Sequence, residues 1–84
     1  MNKTIKLRVK KEVDRESELK VLKLKGTLIT KGYTEIIHIE DENEDFYVNT
    51  FSTPTDLKKE TENYILDYIS SCNVNDIITL ISTK

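Results

Sequence analysis

The sequence predicts an α+β domain of two layers: an antiparallel sheet of four to five strands, with one amphipathic helix packed across one face, in the order β-β-β-β-α-β. Three observations carry this expectation. Residues 52–73 repeat apolar side chains at helical spacing. Residues 4–13 alternate apolar and charged side chains with a period of two. Residues 74–83 are dense in isoleucine, a strand signature.

The first strand spans residues 4–13. Ile5, Leu7 and Val9 share one face, and Lys6, Arg8 and Lys10 share the other. The polar stretch 11–18 reads as a loop. Residues 19–30 read as a second strand, in which the apolar set shifts from Leu19 and Val21 to Leu22, Leu24 and Leu28. That change of phase implies a bulge near Val21-Leu22, and Gly26 implies a bend. Lys23 and Lys25 then face away from the leucines.

Gly32 supplies the turn that follows. Residues 33–40 read as a third strand, with Ile37 and Ile39 toward the core and Ile36 and His38 away from it. Asp41 to Asp45 forms an acidic hairpin loop. Residues 46–51 form a fourth strand, with Phe46 and Val48 inward and Tyr47 outward.

The helix begins at a start signal, Thr53-Pro54-Thr55-Asp56, with Thr53 as cap and Pro54 in the first helical position. Asp56 sits where a capping box places an acid. Leu57, Thr61, Tyr64, Ile65, Tyr68, Ile69 and Cys72 fall on one stripe. Lys58, Lys59, Glu62, Asn63 and Asp67 face water, and Leu66 lies off the stripe. From Pro54 to Cys72 the rise is roughly 28 Å, enough to cross a small sheet once. Asn73 can take the left-handed conformation that ends helices. Residues 74–83 complete the sheet as a strand; a short helix capped by Asp76 is the alternative.

The 84 residues make a single domain, 1–84. Apolar residues are 37% and charged residues 33%, a balance that permits one compact core. No apolar run is long enough to cross a membrane, and no secretory signal core opens the chain, so a cytoplasmic location and no membrane partner are expected. The single cysteine excludes an internal disulfide.

The net charge of −2 hides an asymmetry. Residues 1–32 carry ten Lys/Arg and four Asp/Glu, a balance of +6; the remainder carries three Lys and eleven Asp/Glu, a balance of −8. Such a split can mark a binding surface or a self-complementary contact. It can equally arise from basic and acidic strands lying side by side and neutralising each other.

The residues point away from an enzyme. Cys72 and His38 are the only residues of their kinds, and alternation places them on opposite sides of the sheet. One cysteine and one histidine cannot close a zinc site unaided. Asp41, Asn43 and Asp45 have the opening of a calcium loop, but the sixth and twelfth positions are Phe46 and Ser52 rather than Gly and Glu. No glycine-rich phosphate loop is present. No catalytic residue, metal ligand or cofactor is expected.

Two surfaces are left. One is the acidic loop, Glu40, Asp41, Glu42, Glu44 and Asp45, suited to a basic protein partner. The other is a basic sheet face of Lys6, Arg8, Lys10, Lys23 and Lys25, continued by His38 and Tyr47; cations with an aromatic are the ingredients of a nucleic-acid surface. The leading expectation is therefore a small interaction protein that binds and regulates or inhibits a protein partner, by analogy with accessory proteins of viruses and mobile elements. A nucleic-acid-binding sheet is the first alternative, and a homo-oligomer is the second.

Overall fold

A computed structural model describes residues 1–81; the end of the last expected strand, at residues 82 and 83, lies outside them. The elements are β1 (Asn2–Lys10), α1 (Arg15–Thr30), β2 (Ile37–Asp41), β3 (Phe46–Pro54), a 3-10 turn (Thr55–Leu57), α2 (Lys58–Ser71) and β4 (Ile78–Ile81). The four strands form one antiparallel sheet in the order β2-β3-β1-β4. The α+β class and the two layers are as expected. The element order is not: it is β-α-β-β-α-β, the split βαβ arrangement, with two helices on one face. No helix among the described residues is long and apolar enough to cross a membrane.

The correction falls on residues 19–30, which are helix rather than strand. Val21, Leu24 and Leu28 are the buried residues of α1, and their spacing of three and four is a helical stripe. The phase change that suggested a bulge is that same stripe, interrupted by the exposed Leu19 and Leu22. Asp14 starts the helix: its carboxylate accepts from the Ser17 N–H at 3.0 Å. Hydrogen bonding from Ser17 holds the Asp14 pKa below its ordinary 3.8. A carboxyl group depressed by folding stabilises the protein above its unfolded pKa, and that contribution is lost as pH falls through the folded value. Asp14→Ala should therefore lower the melting temperature at neutral pH and narrow the gap to wild type below about pH 4. Thermal melts of both proteins across that range check it; a constant gap would refute the cap.

Both helices end alike. After α1, Gly32 has φ +79°, its N–H donates to Ile29 O, and the Tyr33 N–H donates to Leu28 O. After α2, Asn73 has φ +54°, its N–H donates to Ser70 O, and the Val74 N–H donates to Ile69 O. These are paired Schellman caps, and each drops a buried residue, Tyr33 or Val74, back into the core.

The start of α2 also differs from expectation. Thr53 is a fully buried strand residue opposite Lys3, and among the described residues no side chain caps the helix. Thr61 Oγ1 donates to Leu57 O at 2.7 Å, so the proton in its 3.3 Å contact with Thr53 comes from Thr53. Strand β3 thus runs to Pro54, and the chain enters the helix through the 3-10 turn.

The core lies between the sheet and the helices. Ile5, Leu7 and Val9 of β1, Phe51 of β3 and Ile78 of β4 meet the α1 stripe and Ile65 and Ile69 of α2. Tyr64 and Tyr68 join the helices to each other. Tyr64 stands between the rings of Tyr33 and Tyr68, at centroid distances of 6.1 and 6.3 Å. The Tyr68 hydroxyl donates to Lys20 O at 2.7 Å, and Tyr33 donates to Glu60 at 2.8 Å. Burial is the main cause that pushes the Tyr68 pKa up to about 12.

Candidate interaction surface

Both helices lie on one side, so no described element covers the other side of the sheet. Strand parity fixes what it displays. With Ile5, Leu7 and Val9 buried toward the helices, Lys6, Arg8 and Lys10 point the other way. Register then brings two rows across the sheet: His38, Thr50, Lys6 and Ile81 in one, and Glu40, Val48, Arg8 and Thr79 in the next. Phe46 lies across from Lys10.

Strand β3 has the opposite parity from that expected. Asn49, Phe51 and Thr53 are buried against the helices, which puts Tyr47 on their side and Phe46 and Val48 on the open face. Three of the seven side chains expected on the basic face are therefore elsewhere. Lys23 and Lys25 ride on α1 in the other layer. Tyr47 lies beside Val9 and Asp41 on the helix side, with the Lys11 ammonium 4.8 Å from its ring centroid. Lys6, Arg8, Lys10 and His38 do share the open face. Phe46 and Val48 were missed there, although counting back in twos from the buried Phe51 puts Asn49 and Tyr47 on the helix side and so leaves Val48 and Phe46 on the open face.

The basic strand does not lie against an acidic one. Its neighbour β3 carries no charged residue, so Lys6 faces Thr50 and Ile81, while Arg8 faces Val48 and Thr79. Among the described residues, neutralisation comes from the hairpin alone. Glu42 reaches back to Arg8, with its carboxylate oxygens 2.8 Å from Nε and 3.1 Å from an Nη atom. The guanidinium lies 5.6 Å from the Phe46 ring centroid. Asp41 pairs with Lys11 at 2.8 Å. Among the described residues, Lys6 and Lys10 form no ion pair.

The acidic hairpin is thus partly committed to the protein itself. Its tip is shaped by Asn43, whose Oδ1 accepts from the N–H groups of Asp45 and Phe46 at 2.8 and 3.0 Å. That oxygen and the Asp41 carboxylate are both engaged, as a hairpin tip requires. Glu44 and Asp45 project into solvent, and Glu40 stands on the open sheet face. Among the described residues no group of three or more His, Cys, Asp or Glu could hold a metal ion. His38 stands on the open face and Cys72 at the end of α2, in separate layers.

A cleft of about 400 Å³ opens on the helix side between α1 and the β2–β3 edge. Leu22 and Lys25 of α1 line it, with Ile39, Tyr47 and Asn49 of the sheet. Asn49 is only 2% exposed, and among the described residues its Oδ1 has no hydrogen-bond partner. Burial lowers the Lys25 pKa. No protein-family model, characterised protein or solved structure matches this chain.

Proposed function

We propose that the protein is a non-enzymatic binding module that regulates or inhibits a protein partner through the open face of its sheet. One observation carries this reading: Lys6 and Lys10 stand on a central strand of an uncovered face, among described neighbours that offer no counter-charge. A partner that brings carboxylates to this face would pair both amines without displacing an internal contact. Arg8 is already held by Glu42 and frames the site more than it reaches out. Glu44 and Asp45, at the hairpin tip beside this face, would meet basic groups on the same partner. The accessory-protein analogy rests on this economy: one small sheet, two charged contacts and no chemistry.

Nucleic acid is the second reading, supported by the basic row on a flat open sheet with Phe46 beside it, the layout of sheet platforms that stack bases. Against it, Phe46 is the one aromatic displayed by the strands of that face, its ring lies under Arg8, and Glu40 and Glu42 would repel phosphates.

The test is the pair of substitutions K6E and K10E in one protein. Its circular dichroism should match wild type, because both side chains are exposed. Capture of the partner from host lysate should be lost, and wild-type capture should weaken as salt rises. Partner capture that survives both changes would refute the surface. Fluorescence anisotropy with single-stranded DNA and RNA at about 50 mM salt decides the second reading. Binding there by wild type, abolished in the double variant, would favour nucleic acid over protein.

A further inference from the structure

We propose that the protein self-associates through the free edge of β2, in a two-fold pairing centred on Ile39 that joins two sheets into one of eight strands. The hydrogen-bond parity of the hairpin leads to this. The Glu42 N–H donates to Phe46 O at 3.0 Å, and the β2–β3 register continues as 41 with 47, 40 with 48 and 39 with 49. Bonded pairs alternate along an antiparallel ladder, so Glu40 and His38 spend their backbone groups on β3. Ile37, Ile39 and Asp41 turn their N–H and C=O groups to the open edge. Unpaired groups in such a row are a template for another strand.

That row is symmetric about Ile39. An antiparallel second copy with Ile39 opposite Ile39 would bond residue 39 to itself and residue 37 to residue 41 on each side. All six outward groups would be used. The side chains agree with the same register. His38 falls opposite Glu40 of the second copy and Glu40 opposite its His38, in the closer, non-hydrogen-bonded pairs on the open face. Ile39 meets Ile39 on the helix side. Ile39 is 56% exposed, and Leu22, 51% exposed, lines the same cleft beside it. Pairing would bring this apolar edge against its own copy. The described part of the other edge strand, β4, has no charged side chain to set a register. Because the axis is perpendicular to the sheet, both open faces would form one surface, with the two Lys6–Lys10 rows on it separated by the four strands of the two hairpins.

The experiment is sedimentation equilibrium of the full chain from micromolar to millimolar concentration. Wild type should approach twice its 9.8 kDa mass. I39P removes the central outward N–H and leaves the bonds to β3 intact, so it should remain monomeric with unchanged circular dichroism. H38E puts two carboxylates across each arm of the contact and should also give a monomer. H38E combined with E40K places opposite charges across each arm and should restore the dimer. Amide exchange supplies a readout independent of any variant: protection at Ile37, Ile39 and Asp41 should rise with concentration, while His38 and Glu40 stay protected throughout. A wild-type monomer at millimolar concentration would overturn the proposal. So would a dimer indifferent to I39P and H38E, or outward amides that exchange at one rate at every concentration.

Discussion

Replacing Phe51 by alanine is expected to remove about 3–5 kcal/mol of folding stability. Phe51 is 1% exposed and is the largest fully buried side chain among the described residues. It lies on a central strand between Ile5 of β1 and Ile37 of β2, with the helices above. The strands on both sides are fixed by the sheet ladder, so the space could collapse only by moving backbone. A domain of this size has roughly 4–13 kcal/mol in total. The loss is therefore a large share of what holds the fold, and F51A should be partly unfolded at 37 °C. Urea titration followed by circular dichroism measures the effect as a lower midpoint at similar slope. A loss under about 1 kcal/mol would mean that the core repacks around the gap, contrary to this geometry.

Asn49→Leu should act in the opposite direction, with a gain of about 1–3 kcal/mol. The Asn49 side chain is buried, and among the described residues its carbonyl oxygen lacks a partner. Leaving water without a replacement bond costs the desolvation of that group. Leucine removes the polar atom, and the adjoining cleft gives its extra volume room. The same titration should show a higher midpoint. A lower one would mean that water or another molecule in the cleft satisfies the amide, so that the mutation discards a real bond.

Much of the architecture was legible in the residues, and the failures have physical reasons. The β1 alternation and the α2 stripe stated their periods plainly, and both elements stand. Gly32 and Asn73 were readable as left-handed positions because few other residues tolerate them. The α1 segment misled because Leu22, Lys23, Leu24 and Lys25 alternate like a strand inside a helical repeat. Only the longer interval from Val21 to Leu24 to Leu28, together with Asp14 three residues before Ser17, separates the two. Parity failed in β3 because Phe46, Tyr47 and Val48 are all apolar enough to face inward, and Phe51 and Thr53 further along decide the matter. Four of the seven side chains expected on the basic surface stand there: Lys6, Arg8 and Lys10 belong to the strand with the clear period and His38 to β2, whereas Lys23 and Lys25 belong to the helix whose period was masked by Leu19 and Leu22. The Arg8–Glu42 pair was beyond sequence reasoning, since it depends on how far the hairpin folds back over a strand 34 positions away.

The strand order also governs how the chain matures on the ribosome. Of the four described strands, β1 is made first yet sits in the middle, and β4, one of its two neighbours, is made after the other three. After β3 emerges at Pro54, synthesis takes on the order of seconds to deliver Ile78–Ile81. Through that interval the nascent chain holds β1 with one flank unfilled and the place of Ile78 vacant. The domain can close only once Ile78–Ile81 is made, so premature termination before residue 78 should yield a product destined for proteolysis and not a shortened working protein.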